Sequence, residues 1–99
     1  MTPVVEIGLP ELDEEQLNSL VEECEQEISN FILSKIPVKS VEDLTVVCIF
    51  ELSDQLDVSI EIDVSQKYDT GHNLEELIEK ATQHGYEWLE KQLRELDNN

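Results

Sequence analysis

Between residues 56 and 65 the sequence LDVSIEIDVS alternates apolar and polar positions without interruption. A strand has a side-chain period of two, so Leu56, Val58, Ile60, Ile62 and Val64 share one face, and Asp57, Ser59, Glu61, Asp63 and Ser65 share the other. The preceding stretch LTVVCIFEL behaves alike, with Leu44, Val46, Cys48, Phe50 and Leu52 on one face against Thr45, Val47, Ile49 and Glu51 on the other. Ser53, Asp54 and Gln55 join the two as a short turn, which predicts an antiparallel hairpin over about 44–64. Pairing Leu52 with Leu56 sets Phe50 opposite Val58, Cys48 opposite Ile60 and Val46 opposite Ile62. A slip of one residue would turn a whole apolar row to solvent, so the pattern selects this register.

On either side of the hairpin the period changes to that of a helix. Leu17, Leu20, Val21, Cys24, Ile28, Phe31 and Ile32 form one stripe at 3.6-residue spacing. Asp13 is placed as N-cap, Gln16 as the N3 partner of a capping box, and Leu12 with Leu17 as a hydrophobic staple. Pro37 stops the helix near 34–36, so it is expected over about 13–35. The stretch PVKSVEDL then reads as a linker. After the loop SQKYDTGH, Asn73 caps a second helix with Glu76 at N3, expected over about 73–96. Its stripe is Leu74, Leu77, Ile78, Ala81, Gly85, Trp88, Leu89 and Leu96. Ala81 and Gly85 mark a place of close approach, because a mid-helix glycine costs about 1 kcal/mol relative to alanine unless clearance is needed.

Ahead of the first helix, TPVVEIGLP is a short apolar run between prolines, readable as a brief edge strand over Val4 to Leu9 or as an extended arm. Two amphipathic helices and a hairpin each have one apolar side. The economical arrangement is a two-layer α+β domain over residues 1–99, with both helices on one face of the antiparallel hairpin and the order α-β-β-α, with or without the N-terminal strand.

Charge is what makes the other side of that hairpin notable. Six Lys plus Arg stand against 24 Asp plus Glu, a formal net charge of −18. That balance disfavours nucleic acid and anionic membrane as direct partners and favours a basic protein or a ribonucleoprotein component. Ala81 is the only alanine and Glu outnumbers Asp, which reads as a property of this surface more than of a brine-adapted proteome. The apolar runs are too short to span a bilayer and the first residues lack a basic n-region, so a cytoplasmic location is expected. Cys24 and Cys48 have no metal-ligand spacing and fall on core faces, the pattern of buried free thiols, with a disulfide as the alternative.

No constellation names a reaction. The carboxylates do not follow a calcium-loop pattern, and an open strand face offers no cleft to pair them for acid–base work. His72 and His84 lack ligand-spaced neighbours, and the single glycine of DTGHN is too few for a phosphate cradle. No catalytic residue, cofactor or metal is therefore expected. The uncovered sheet face is the candidate site: Thr45, Val47, Ile49 and Glu51 beside Asp57, Ser59, Glu61 and Asp63. A solvated, anti-aggregation face is the plain alternative for the same residues.

The segments LPELDEEQL, ILSKIP with the following EDL, and the ending LRELDNN resemble a small archaeal family of unassigned function, and the similarity runs over nearly the whole chain. In that family the genes lie near those for the prefoldin beta subunit, a small RNA polymerase subunit and exosome components, which implies RNA processing or protein assembly. A second, architectural resemblance follows if Val4 to Leu9 is a strand: β-α-β-β-α is similar to the small dimerising subunit of the KEOPS tRNA-modifying complex. No shared motif carries residues across.

The resulting expectation is a non-enzymatic, acidic interaction subunit or adaptor of an archaeal RNA-processing assembly, exosome-associated or similar. It would be a monomer or weak dimer, because like charges oppose self-pairing of the open face. The alternative within the same machinery is direct RNA binding through Lys35, Lys39 and Lys67. A remote alternative is an enzyme whose site forms only on oligomerisation.

Overall fold

The computed structural model describes residues 4–5 and 13–97. Its elements run β1 (Val4–Val5), α1 (Glu14–Lys35), a 3-10 turn (Val38–Ser40), β2 (Val41–Leu52), β3 (Leu56–Gln66) and α2 (Leu74–Asp97). β2 and β3 form the antiparallel hairpin in the register that the alternation selects: Leu52 faces Leu56, Phe50 faces Val58, Cys48 faces Ile60 and Val46 faces Ile62. β1 pairs with β3 through Val4–Asp57 and Val5–Leu56, so the sheet order is β1-β3-β2. The remaining residues of the Val4 to Leu9 run lie outside the described residues, as does Leu12 of the staple expected with Leu17.

One stretch differs from the sequence reading. Residues 41–43 are strand rather than linker, and Val41 lies opposite Gln66. The cause is a register shift between Val41 and Asp43. Val41 and Leu44 both pack against the core, yet they stand three positions apart, an odd spacing that a regular strand cannot bury on one face. A bulge reconciles them, and it hides the strand from any search for alternation. Ser40 fastens this corner. Its hydroxyl donates to the Pro37 carbonyl at 2.6 Å and accepts from Gln66 Nε2 at 3.0 Å, and its carbonyl accepts the Lys67 N–H at 2.7 Å.

α1 begins as its sequence requires. The Gln16 N–H donates to Asp13 Oδ1 at 2.7 Å and the Asp13 N–H donates to Gln16 Oε1 at 3.1 Å, a reciprocal capping box. Glu14 and Glu15 sit at the positive end of the helix dipole and Lys35 at the negative end. Asp13→Ala should lower the unfolding free energy by about 1 kcal/mol. Urea denaturation checks this, and Asp13→Asn, which keeps the acceptor, should recover most of the loss.

Both helices lie on one face of the hairpin. Leu20, Cys24, Ile28 and Ile32 of α1 are buried, as are Leu77, Ala81, Leu89 and Leu93 of α2. Leu93 is fully enclosed and was absent from the stripe read off the sequence, although it stands one i+4 step beyond Leu89. The side chain of Leu96, assigned to that stripe, lies outside the described residues. Two core clusters meet at Phe50, Ile60 and Trp88, which pack against both, so the apolar layer is continuous along the long axis. At Gly85 the helices come so close that an added Cβ would stand 2.6 Å from Ile28 Cδ1.

Candidate protein-interaction face

With α1 and α2 on one side, the other side of the hairpin is uncovered by any described residue. Register places Thr45 opposite Asp63, Val47 opposite Glu61, Ile49 opposite Ser59 and Glu51 opposite Asp57. These are the eight residues expected to form the face, and the structure brings all of them together. Val47 and Ile49 are 37% and 45% exposed, large for β-branched side chains at the middle of a strand. Around Ile49, Glu51, Asp57 and Ser59 the surface dips into a shallow hollow of about 330 Å³. The face thus combines a short apolar strip on β2 with a carboxylate row on β3.

β1 alters one part of this arrangement. β3 is the central strand, and Asp57 and Ser59 are half-buried rather than open. Asp57 sits between Glu51 on one neighbour and Val4 on the other, and its Oδ1 accepts from Gln55 Nε2 at 3.2 Å. Like charges directly opposite across a sheet destabilise it. Among the described residues no ion pair involves Glu51, Asp57, Glu61 or Asp63. The row is therefore a concentration of negative charge that the fold tolerates rather than uses.

Each side edge of the sheet is closed at one point by a helix side chain, a feature with no signature in the sequence. On the β2 edge, the Cys48 N–H donates to Glu25 Oε2 of α1 at 2.9 Å. On the β3 edge, the Tyr86 hydroxyl of α2 reaches the Val58 carbonyl at 3.4 Å. Burial, followed by the proximity of Cys48 and Cys24, pushes the Tyr86 phenol above the ordinary tyrosine range, with a hydrogen bond to the Ile60 backbone opposing it. A folded-state pKa above the unfolded one makes a contribution that is complete below the unfolded pKa and lost as pH rises through the folded one. Stability should accordingly fall above about pH 10. In a Tyr68→Phe background, phenolate absorbance should report Tyr86 ionising later than free tyrosine, and Tyr86→Phe should flatten that limb of the stability profile.

The remaining thiols and imidazoles have partners within the fold. Cys24 and Cys48 are buried free thiols brought together between α1 and β2. The Cys24 thiol reaches the Gly85 carbonyl at 3.9 Å, and the neighbouring Cys24 sulfur, followed by burial, pushes the Cys48 thiol well above its ordinary range. His84 stacks on Phe31 at 4.6 Å and its Nε2 lies 3.0 Å from Glu27 Oε1, a partner 57 positions away that sequence spacing could not indicate. His72 Nδ1 hydrogen-bonds with Thr70 Oγ1 at 2.7 Å. Among the described residues no three His, Cys, Asp or Glu side chains are grouped to hold a metal ion. No described helix is long and apolar enough to cross a membrane.

A second recess of about 480 Å³ lies at the end of the molecule where α1 stops and α2 starts, with Phe31, Lys35, His72, Asn73, Glu76 and Lys80 in its wall. Lys80 is paired with Glu76 at 3.0 Å, and Lys35 Nζ lies 5.3 Å from the centre of the Phe31 ring. Lys39 and Lys67 belong to the same end, because the Lys67 N–H binds the Ser40 carbonyl. Of the three lysines Lys35, Lys39 and Lys67, only Lys35 lines the recess; Lys39 and Lys67 are joined to this end by the backbone contact of Lys67 with Ser40.

Residues 9–92 match the family described as protein of unknown function (DUF3194). An uncharacterised protein of Pyrococcus furiosus is 35% identical over 99% of this chain and 88% of its own length. One from Thermococcus kodakarensis is 30% identical over 96% of this chain and 88% of its own. A crystal structure from Thermococcus onnurineus superposes with a TM-score of 0.75 at 31% identity, covering 99% of this chain and 95% of that one. The solution structure of the hypothetical protein mth677 from Methanothermobacter thermautotrophicus superposes with a TM-score of 0.75 at 24% identity, over 89% and 96%. That second likeness speaks to fold alone.

Proposed function

The chain belongs to the DUF3194 family of archaeal proteins, and we propose that it acts there as a non-enzymatic adaptor that docks a basic protein partner on its open sheet face. The observation that carries this reading is the composition of that face. Val47 and Ile49 offer apolar area, and among the described residues Asp57, Glu61 and Asp63 beside them form no ion pair. Interfaces place apolar contacts at the centre and charge at the rim, and complementary charge raises the rate of encounter and selects the partner. A net charge of −18 gives the attraction long range at low salt. The assignment to an RNA-processing assembly rests on the gene neighbourhood implied by the family resemblance, and the partner sought is accordingly a basic subunit of such a complex. The protein is placed in the cytoplasm, as a monomer or weak dimer when alone.

Copurification from an archaeal lysate at low salt, followed by mass spectrometry, tests the reading. It predicts a basic protein retained by the wild-type chain and released by salt. Recovery of no protein at low salt would overturn it.

Direct RNA binding is the second reading, favoured by Lys35 in the recess and by the Lys67–Ser40 backbone contact that brings Lys67 and Lys39 to the same end. A gel shift with tRNA fragments separates the two. RNA binding that weakens steeply with salt and is lost in a Lys39→Ala/Lys67→Ala variant would replace the adaptor reading.

A further inference from the structure

β2 is the last strand of the sheet, and no described residue pairs along its outer side. In an antiparallel pair, successive residues point their N–H and C=O groups alternately toward the partner strand and away from it. The Cys48 N–H reaches Glu25 rather than β3, which fixes the phase. Leu44, Val46, Cys48 and Phe50 therefore turn their backbone groups to the open edge, while Thr45, Val47 and Ile49 bond to β3. The sheet's other edge is different: β1 already occupies Leu56 and Asp57, and Tyr86 reaches Val58.

The two flanks of the open β2 edge have opposite chemistry. On the uncovered side of the sheet runs the strip Thr45, Val47 and Ile49. On the helix side stands Glu25, with Glu22 three residues earlier on the same face of α1. We infer that this edge accepts an extended peptide strand of the partner, with apolar side chains beside Val47 and Ile49 and basic side chains toward Glu25 and Glu22. The inference rests on the adaptor reading and names the form in which the partner binds.

Strand addition supplies affinity through the backbone and specificity through alternate side chains. Glu25 is the guard of the unoccupied edge. It takes the central N–H and sets a charge in the path of any strand, a recognised means of preventing edge-to-edge pairing. A basic peptide removes both obstacles at once: its carbonyl takes the Cys48 N–H, and its Lys or Arg takes the Glu25 carboxylate. A second copy of this chain cannot do so. Pairing two β2 edges would bring Glu22 and Glu25 of each copy together, in a chain already carrying −18. The occupant is therefore a cationic segment of another protein.

The test uses the full chain and a synthetic peptide of about ten residues alternating Lys with Val or Thr, long enough to run beside most of β2. A second peptide of identical sequence carries N-methyl groups on alternate residues, which blocks edge pairing and leaves charge unchanged. The first peptide should bind and slow hydrogen exchange at Leu44, Val46 and Phe50. The N-methylated one should bind at least about tenfold more weakly, through loss of several backbone hydrogen bonds. Glu25→Gln, which keeps a hydrogen-bond acceptor, should weaken the first peptide several-fold. Equal binding of both peptides, with shifts confined to Ile49, Asp57 and Glu61, would overturn the edge inference and leave the adaptor reading standing. Binding of neither peptide at low salt would overturn the edge inference, and only the copurification result would then decide the adaptor reading. Protection of the same three amides that rises with protein concentration in the absence of peptide would show the edge taken by a second copy, and would also overturn it.

Discussion

Gly85→Val should destabilise the protein by about 3 kcal/mol, an effect at the upper end for overpacking a closed core. The reason is geometric. A Cβ at this position would stand 2.6 Å from Cδ1 and 2.9 Å from Cγ1 of Ile28, and 3.1 Å from Cδ1 of Ile60. Ile28 is fully enclosed and Ile60 belongs to the sheet beneath, so neither can yield without disturbing both layers. Valine adds two further methyl groups to that conflict. For a domain of this size the Tm should fall by roughly 15 °C. Gly85→Ala carries the same Cβ but recovers about 1 kcal/mol of helix propensity, so its net loss should be nearer 1 kcal/mol. Ile28→Val removes the atom at 2.6 Å. Combined with Gly85→Ala, it should give a double variant more stable than additivity predicts, by about 1 kcal/mol. Thermal and urea unfolding of wild type and these four variants measure this, and a Gly85→Val protein as stable as wild type would mean that α1 and α2 do not approach here.

The second large effect should separate stability from function. Asp57→Lys replaces one member of the opposed Glu51–Asp57 pair with a cation, so the fold should gain up to about 0.5–1 kcal/mol despite losing the Gln55 contact. Adding Glu61→Lys reverses the centre of the carboxylate row. The same double variant should lose at least about a hundredfold in affinity for a basic partner, because two attractive contacts become repulsive. A surface that is kept less stable than a simple substitution could make it has a reason other than folding. If both stability and binding fell together, the row would be part of the structure rather than a docking site.

How much of this was legible in the sequence depends on the range of the interaction concerned. The β2–β3 register, the Asp13–Gln16 box and the inward stripe of α1 follow from periods of two and 3.6 and from caps three residues apart, and all are local. The start of β2 was hidden because the bulge between Val41 and Asp43 breaks the alternation that would reveal it. The pairing of β1 with β3 turned Asp57 from an edge residue into a central one, a change set by two valines more than fifty positions away. Leu93 was available in the pattern at one step from Leu89. Glu25 and Tyr86 were not: nothing distinguishes Glu25 from the other glutamates of α1 until the fold brings it to Cys48. The register neighbours on the face were readable from parity, but the partial burial of Asp57 and Ser59 was not. Nor was the occupant of the face, because a docking surface is defined by a second molecule.

The most direct test of the docking face is the affinity of the copurified partner, measured by titration calorimetry at two salt concentrations against two charge-matched variants. Asp57→Lys/Glu61→Lys reverses charge on the sheet face, and Glu79→Lys/Glu87→Lys reverses the same amount on exposed positions of α2. If the sheet face is the site, the first variant should bind at least about tenfold more weakly than the second, and most of its salt dependence should disappear. Equal losses in the two variants would show that only the overall field of an acidic protein attracts the partner, and would contradict a docking site on the open sheet face.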